Sequence, residues 1–280
     1  MADTGRVWFV TGASKGMGLE IVRAALANGD RVVGTSRDAG RLAAAVSADG
    51  DIADRFVPVA MSFTPESIAA AVEQAVTVFG RIDVLVNNAG YSLLGAVEEF
   101  SPDEVRANFD VNVFGVLEVT QRVLPIMRRQ RSGHILTMAS ISANVTGPAT
   151  GLYSATKAAV LMLSEALAAE VEPWHIRVTA ICPGGVRTDF LDPSSSRHPA
   201  RRIDDYTNVD AALTSYGRLN HRQGGDPALV AQALLRVADM DDPPTRLYLG
   251  VDAVNAITRT TESVLRSVQE YRDLSASIDD

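Results

Sequence analysis

Short apolar runs alternate along this chain with longer stretches in which apolar residues return every three or four positions. Apolar runs between turn-forming residues predict buried β-strands, and the longer period predicts amphipathic helices. Strands are predicted over Val7 to Val10, Arg31 to Thr35, Phe56 to Val59, Val84 to Asn87, His134 to Ala139, Arg177 to Cys182 and Arg246 to Leu249. Helices are predicted to begin near Gly18, Pro65, Pro102, Leu152 and Pro227. Repeated strand and helix units predict a parallel, doubly wound α/β sheet with helices on both faces.

Two segments depart from this alternation. Between Asp189 and Asp226, serine, arginine, proline and glycine interrupt any regular core pattern, so a mobile, irregular insert is expected at about residues 189–226. The tail from Ile257 to Asp280 has the apolar spacing of an amphipathic helix and ends in a segment expected to fray. Such a helix could cap its own subunit or bind another. Its apolar positions are Val264, Leu265, Val268, Tyr271 and Leu274.

Composition narrows the function classes. The 280 residues are 46% hydrophobic and 21% charged, which is ordinary for a globular enzyme. A formal net charge of -8 argues against a nucleic-acid partner or an anionic membrane surface. No targeting segment or apolar stretch of ~18 residues is evident, so a cytoplasmic location is expected.

Metal and disulfide chemistry is not expected. Cys182 is the only cysteine, so it cannot form an intramolecular disulfide and is expected to be a small buried residue rather than a nucleophile. The histidines lack metal-ligand spacing and are interpreted as surface or packing residues. They are His134, His175, His198 and His221.

The segment YSATK places Tyr153 and Lys157 one helical turn apart on the same face. A phenol ionises near pH ~10, and a neighbouring positive charge favours its ionised form, so the pair suits general acid or base catalysis. Taken alone, the pair could equally be an exposed helical contact.

A glycine-rich turn follows the first predicted strand. Gly12, Gly16 and Gly18 in TGASKGMG would let the backbone turn sharply and approach a phosphate at the start of a helix, although such a pattern alone could be an ordinary turn. Gly90 ends the segment NNAG after another strand, at the sheet edge where this architecture places ligands.

Taken together, TGASKGMG, NNAG, Asn112, Ser140, YSATK and PGGVRT (183–188) occur in the order typical of one family. The chain resembles the short-chain dehydrogenase/reductases, strongly from about Val7 to Val186 and more loosely to about Ala253. The resemblance implies a Rossmann-type, seven-stranded, mainly parallel sheet. It also implies that residues 1–280 form a single NAD(P)-binding domain, with the substrate-side insert and a helical extension at about residues 257–280.

The resemblance also implies roles for individual residues. Tyr153 would be the proton donor or acceptor, Ser140 would hydrogen-bond the substrate oxygen, and Lys157 would bind the nicotinamide ribose. Asn112 would organise a water and proton path behind the lysine; each of these polar residues could instead make only local bonds. The cofactor-binding residues implied are Gly12, Ser14, Lys15, Gly16, Met17, Gly18, Ser36, Arg37, Ser62, Asn88, Ala89, Gly90, Tyr153, Lys157, Pro183, Gly184, Val186 and Thr188.

Cofactor choice depends on the end of the second strand. Ser36 stands where an acid that selects NAD would stand, and Arg37 and Lys15 could attract the 2′-phosphate of NADP. NADP(H) is therefore preferred over NAD(H), although the neighbouring Asp38 weakens the preference. Ser62 replaces an aspartate that family members often place near the adenine.

We therefore expect an NADP(H)-dependent oxidoreductase that interconverts a ketone or aldehyde and an alcohol. The alternative is a redox-inactive NADP-binding regulatory or structural protein. Apolar residues expected near the cleft favour a lipophilic substrate, with steroid-like, fatty, terpenoid and aromatic carbonyl compounds all open; they could equally pack the insert. These residues are Tyr91, Leu93, Leu94, Val145, Phe190, Leu191, Tyr206 and Tyr216.

The helix that contains YSATK also bears on assembly. Its small residues in ATKAAVLMLSEALAAEV would allow close contact with a helix of a second subunit. A homodimer or homotetramer is expected, although the same alanines could pack within one subunit.

Overall fold

A computed structural model describes residues 5–46, 52 and 54–279. Its main feature is a seven-stranded parallel sheet with the strand order β3-β2-β1-β4-β6-β7-β9. The chain reverses its winding direction beside β1, so helices cover both faces and the predicted doubly wound, Rossmann-type fold is confirmed. The strands are β1 (Val7–Val10), β2 (Arg31–Ser36), β3 (Phe56–Ala60), β4 (Val84–Asn87), β6 (Gly133–Met138), β7 (Ile176–Pro183) and β9 (Arg246–Leu249).

The helices include all five predicted ones, with starting positions within two residues of those expected. Three helices, over 39–46, 115–130 and 207–219, were not predicted from the sequence. The helices are α1 (Gly16–Ala27), α2 (Ala39–Val46), α3 (Pro65–Phe79), α4 (Pro102–Phe109), α5 (Gly115–Gln130), α6 (Gly151–Val171), α7 (Thr207–Leu219), α8 (Pro227–Asp239), α9 (Val251–Glu270) and α10 (Arg272–Ala276).

Alternating side chains of the central strands form two separate cores. Trp8 and Val10 face the layer that contains α1 and α8, whereas Phe9 faces the layer that contains α3 and α5. Because successive side chains of a strand point to opposite faces, a strand buried on both sides must be apolar throughout. This requirement accounts for the continuous apolar runs that identified the strands.

The expectation of an irregular insert at residues 189–226 was wrong in part. Helix α7 occupies thirteen of these positions, and the short strand β8 (Ser196–Arg197) pairs in parallel with β5 (Ser92–Leu93). Val209 and Leu213 of α7 pack with Ala149 in a small apolar cluster. Helix α7 was not predicted because the segment before it, residues 193–202, is rich in serine, proline and arginine.

The predicted C-terminal amphipathic helix is confirmed, and it begins at Val251, six residues before the expected boundary. It continues into α10 after a break at Tyr271, and Asp280 lies outside the described residues. Among the residues that the structure describes, no helix combines the length and apolar content needed to cross a bilayer.

Candidate active site

The glycine turn between β1 and α1 depends on close backbone packing. Gly12 and Gly16 have positive φ angles of 66° and 55°, a region that disfavours residues with a Cβ. A Cβ on Gly12 would lie 2.9 Å from Ala89 Cα, and one on Gly18 would lie 2.4 Å from Gly12 O. The turn therefore has no room for a side chain at Gly12 or Gly18, whereas at Gly16 it is the backbone angle that favours glycine.

The start of α1 is left open to an anion. Lys15 is its N-cap and makes no capping side-chain hydrogen bond, and the first turn contains no acidic residue. The N–H groups of a first turn have no partner within the helix and carry the positive end of its dipole. Ser14 and Met17 belong to this same turn. The cradle fits the pyrophosphate of a dinucleotide.

Thr11 joins the glycine turn to the NNAG segment. Its hydroxyl oxygen accepts hydrogen bonds from Asn88 N at 3.0 Å and Ala89 N at 3.1 Å. The Asn88 amide donates back to Thr11 O at 2.9 Å and Gly12 O at 3.1 Å. Thr11 was not identified as a site residue from the sequence, although it opens the TGASKGMG motif. The two predicted cofactor segments thus form one wall.

Asn112 binds residues distant in sequence rather than its own helix. It lies in a π-helical turn, Asp110–Phe114, between α4 and α5. Its Oδ1 accepts from Tyr91 N at 3.1 Å, and its Nδ2 donates to Tyr91 O at 2.9 Å and Thr156 Oγ1 at 3.2 Å. Asn112 Oδ1 would be 3.0 Å from a Cβ on Gly90. Asn112 therefore joins the end of NNAG to α6.

Tyr153 and Lys157 of α6 are both buried beside the carboxyl end of β6. Lys157 Nζ donates to Met138 O at 2.6 Å and lies 5.9 Å from the centroid of the Tyr153 ring. Burial lowers the pKa of Lys157 to about 8. Burial also raises the pKa of Tyr153 to about 12, despite a hydrogen bond with Ser140 that lowers it.

The sequence led us to expect that the charge of Lys157 would lower the pKa of Tyr153 toward pH 7. The pKa is raised instead. Loss of water around the phenol outweighs the stabilisation of its ionised form. Tyr153 is a neutral phenol near pH 7, which is the form that donates a proton.

Ser140 lies at the end of β6, next to Tyr153. Its Oγ accepts a hydrogen bond from Ser142 N at 3.0 Å, so the turn that follows orients the hydroxyl. Ser142, which is close in sequence, contributes this N–H. Cys182 is buried as predicted, and burial raises the pKa of its thiol to about 11.

The PGGVRT loop follows β7 and reaches the glycine turn. Gly184 N donates to Leu249 O at 2.8 Å, and Gly185 N donates to Asp252 Oδ2 at 2.7 Å. Thr188 Cβ lies 3.4 Å from the position that a Cβ on Gly16 would occupy. The loop containing Pro183, Gly184, Val186 and Thr188 thus faces the glycine turn.

Cationic side chains gather where the adenosine end of a cofactor would lie. Burial lowers the pKa of Lys15, nearby acidic groups raise it, and Arg41 and Arg37 lower it further by repulsion. Arg41 was not identified from the sequence; it lies in the first turn of α2, where its N–H donates to Asp38 Oδ1 at 2.9 Å. Arg37 lies between the end of β2 and the start of α2, so no periodic pattern in the sequence connected it with Arg41.

Two other predicted cofactor residues are engaged locally. Ser36 Oγ donates to Asp38 O at 2.6 Å and accepts from Asp38 N at 3.1 Å. Ser62 is exposed at the end of β3, and its backbone N–H donates to Ser67 Oγ at 3.0 Å. Ser36 therefore shapes the turn that carries Arg37.

The insert reaches the site at two points. Lys15 Nζ donates to the hydroxyls of Ser194 and Ser195, each at 2.6 Å. The Phe190 ring packs against Tyr153, with centroids 5.6 Å apart. Four other residues expected near the cleft pack elsewhere. Tyr206 and Tyr216 belong to the small apolar cluster that contains Ala149 and Val209, and Leu93 and Leu94 are buried beside β8.

Glu99 holds the insert against the segment that follows NNAG. This buried carboxylate accepts from Ala96 N at 2.8 Å and Ile203 N at 2.9 Å, and it lies 3.4 Å from Arg202 Nε. Burial raises the pKa of Glu99, but the two backbone hydrogen bonds and Arg202 together keep it below its ordinary value.

His221 lies in a surface cluster with two acids of the insert. Its Nε2 is 3.1 Å from Asp192 Oδ1, and Asp189 completes the one group of potential ligands within 4.8 Å of one another among the described residues. The Asn220 amide also donates to Asp192. We assign no metal to this cluster of exposed, hydrogen-bonded groups.

Comparisons with known proteins agree with this arrangement. The family model described as short chain dehydrogenase matches residues 6–199. The oxidoreductase BOA17 of Botryotinia fuckeliana is 37% identical over 271 residues, which cover 96% of this chain and 98% of that protein. The 3-ketodihydrosphingosine reductase of Bacteroides thetaiotaomicron is 34% identical over 245 residues, 88% of each chain.

A solved structure extends the similarity to the whole fold. The crystal structure of a short-chain dehydrogenase from Streptomyces avermitilis has a TM-score of 0.91 and 35% sequence identity, covering 99% of this chain and all of that chain. Because the family model and these relatives span most of the sequence, the chain belongs to the short-chain dehydrogenases, a family of nicotinamide-dependent oxidoreductases.

Proposed function

We propose that this protein reduces a ketone or aldehyde to an alcohol with NADPH, and catalyses the reverse reaction with NADP. The observation that carries this proposal is the buried Tyr153 beside Ser140, whose hydroxyl lowers the Tyr153 pKa, with Lys157 next to them and the glycine turn at the same sheet edge. A neutral phenol can donate a proton, and a positioned hydroxyl can stabilise charge that develops on a carbonyl oxygen.

The bound cofactor would supply the hydride to the carbonyl carbon. Tyr153 would donate its hydroxyl proton to the carbonyl oxygen, so a neutral alcohol is formed. Ser140 would donate a hydrogen bond to the same oxygen, since Ser142 N already occupies an acceptor position of its Oγ. Lys157 would bind the ribose hydroxyls with the N–H groups that Met138 O does not use. Asn112 would keep Tyr91 and α6 in place behind the site.

The preference for NADP(H) is supported by the cluster of Lys15, Arg37 and Arg41. Arg41 and Arg37 lie close enough to Lys15 to lower its pKa, although Asp189 and Asp192 raise it more strongly. These cations favour a 2′-phosphate, whereas Ser36 provides no carboxylate for an unmodified ribose. Val186 and Thr188 would bind the carboxamide of the nicotinamide; their loop packs against Gly16 of the glycine turn.

We further propose a lipophilic substrate. Phe190 provides an apolar surface against the proton donor, and Tyr91 and Val145 are partly buried in neighbouring segments. The relative from Bacteroides thetaiotaomicron is named a 3-ketodihydrosphingosine reductase. Phe190 is therefore the residue expected to contact the substrate beside its reacting carbon.

Assembly as a homodimer or homotetramer is also part of the proposal. Large apolar side chains are exposed on α5, on α6 and on the π-helical turn before α5; they are Phe114, Leu117, Met162 and Leu163. These surfaces could pack against a second subunit. The cytoplasmic location remains a prediction from the sequence.

The test is oxidation of NADPH and NADH by the purified protein across a panel of lipophilic ketones and aldehydes. Substrate-dependent consumption of NADPH, lost in Tyr153→Phe, is the expected result. Tight NADPH binding without turnover across the panel would overturn the proposal in favour of a regulatory NADP-binding protein.

A further inference from the structure

The C-terminal helices α9 and α10 carry a row of large apolar side chains that the rest of the subunit leaves uncovered. Every residue from 261 to 279 is exposed. Val264 and Leu265 each expose 57% of their surface, and Leu274 exposes 71%. We call this row the C-terminal stripe; it comprises Val254, Ile257, Val264, Leu265, Val268, Tyr271, Leu274 and Ile278.

The stripe has the spacing of a helix-pairing surface. Positions 254, 261, 268 and 275 recur every seven residues, as do positions 257, 264, 271 and 278, and the two series alternate by three and four residues. Six of these eight positions hold valine, isoleucine or tyrosine; Thr261 and Ser275 are the others. A repeat of 3.5 residues keeps positions 254, 257, 261, 264 and 268 on one side of α9, which ends at Glu270 before the break at Tyr271.

The charges around the stripe suit a second copy of the same helix. The seam consists of positions 254, 257, 261, 264, 268, 271, 275 and 278, and positions 253, 258, 260, 265, 267, 272 and 274 flank it. Among all of these, Arg272 is the only charged residue, while Arg259, Glu262 and Arg266 lie on the opposite face. Two identical helices can therefore approach without an array of like charges at their interface.

An anionic lipid surface fits less well. Helical residues that insert into a membrane surface usually carry an excess of lysine and arginine on the polar face. Residues 251–279 contain five acidic residues and three arginines, a net charge of -2, within a chain whose net charge is -8. These charges repel an anionic bilayer.

The stripe would form the apolar centre of a contact between identical chains rather than the whole of it. Most of its eight side chains expose about half or more of their surface. A stable interface buries roughly 800 Å² per partner. A two-fold axis would place the same stripe on both sides of one closed contact.

We infer that the C-terminal stripe pairs with the stripe of a second copy of this chain to form a homodimer contact. This inference rests on the proposed homo-oligomer and names one of its contact surfaces. The C-terminal stripe is a different surface from the exposed apolar side chains of α5 and α6. It does not depend on the reaction.

The test compares matched charge substitutions on two faces of α9. The double variant Val264→Glu, Val268→Glu places two carboxylates in the seam. The control Ser263→Glu, Gln269→Glu adds the same charge at exposed positions outside the seam. Sedimentation velocity over a dilution series measures the molar mass of each protein, and NADPH binding and circular dichroism report whether each is folded.

We expect the wild-type protein and the control to share one mass, and the stripe variant to have half of it. If all three proteins are the same oligomer, the stripe inference fails while the proposed homo-oligomer stands. If the wild-type protein has the mass of one chain, 29.8 kDa, both fail, whatever the enzyme assay shows.

Amide hydrogen exchange keeps the test decisive if the stripe variant does not fold. Pairing predicts that protection of residues 261–276 in the wild-type protein rises with protein concentration, because unpaired helix ends open readily. Protection that is independent of concentration would overturn the inference. Protection that instead appears on adding phosphatidylcholine vesicles would assign the stripe to a lipid surface.

Discussion

Asp252, in the first turn of α9, accepts a hydrogen bond from Gly185 N at 2.7 Å, and its carboxylate occupies the space that a Cβ on Gly184 would need. The C-terminal helix thus supports the loop proposed to bind the nicotinamide carboxamide. The dipole of α9 also favours a carboxylate at this position. Asp252 is a positioning residue that no motif in the sequence indicated.

Replacement of Asp252 by asparagine should loosen this loop. We expect the KM for NADPH to rise up to about tenfold, a change of ~1.4 kcal/mol, because the neutral amide oxygen of asparagine accepts from Gly185 N more weakly than the carboxylate does. Steady-state kinetics with varied NADPH tests this, with Asp273→Asn on the exposed surface of α10 as control. An unchanged KM for NADPH would show that the loop holds its position without Asp252.

A methyl group at Gly18 should block the cofactor cradle. The added Cβ would lie 2.4 Å from Gly12 O and 2.5 Å from Asn88 Nδ2, so the turn or α1 must shift. Gly18→Ala is expected to weaken NADPH binding by at least about tenfold as measured by fluorescence titration. Gly147→Ala is the control, since no atom lies within 4 Å of its Cβ position. Equal affinity in both variants would contradict the assigned cradle.

The cationic cluster should determine cofactor choice. Arg41→Gln and Arg37→Gln are each expected to lower kcat/KM for NADPH about tenfold while kcat/KM for NADH changes little, because only NADPH has a 2′-phosphate. Arg259→Gln, on the polar face of α9, serves as a control for loss of surface charge. A parallel decrease with both cofactors would indicate structural damage rather than phosphate recognition.

Lys157 should make cofactor binding depend on pH. Burial lowers the pKa of Lys157 to about 8, so its ammonium is present below that pH and is lost as the pH rises through it. NADPH binding by the free enzyme should therefore weaken above about pH 8, in a titration of Kd against pH. Lys157→Met should bind more weakly and lack this inflection; an unchanged inflection would assign it to another group.

The contribution of Glu99 to folding stability should depend on pH. Its folded-state pKa is lowered, so its contribution to folding stability is full above the ordinary carboxyl pKa and is lost as the pH falls through the folded-state value. Glu99→Gln should cost about 1–3 kcal/mol at neutral pH, because the buried N–H of Ala96 or Ile203 loses a charged acceptor.

Denaturant unfolding at pH 7 and at acid pH measures the effect of Glu99→Gln. The difference between wild-type and variant should shrink at acid pH, where Glu99 is itself protonated. Glu73→Gln on the exposed surface of α3 is the control. A difference that stays constant with pH would assign the loss to packing rather than to charge.

Local sequence patterns were sufficient for the fold and for the positions of several candidate site residues. Continuous apolar runs identified the buried strands because both faces of a parallel sheet are covered. A spacing of four residues placed Tyr153 and Lys157 on one face of α6, and glycine at positions 12 and 16 marked backbone angles that other residues disfavour. These features depend on neighbouring residues, so the sequence determines them directly.

Contacts between distant segments were decided only by the tertiary structure. Asn112 binds Tyr91 and Thr156, and Asp252 binds Gly185 from 67 residues away. Burial in the folded chain, rather than the nearby charge of Lys157, sets the direction of the Tyr153 pKa shift. Spacing along one helix reports which side chains share a face, but solvent exclusion and long-range partners depend on how separate elements pack against one another.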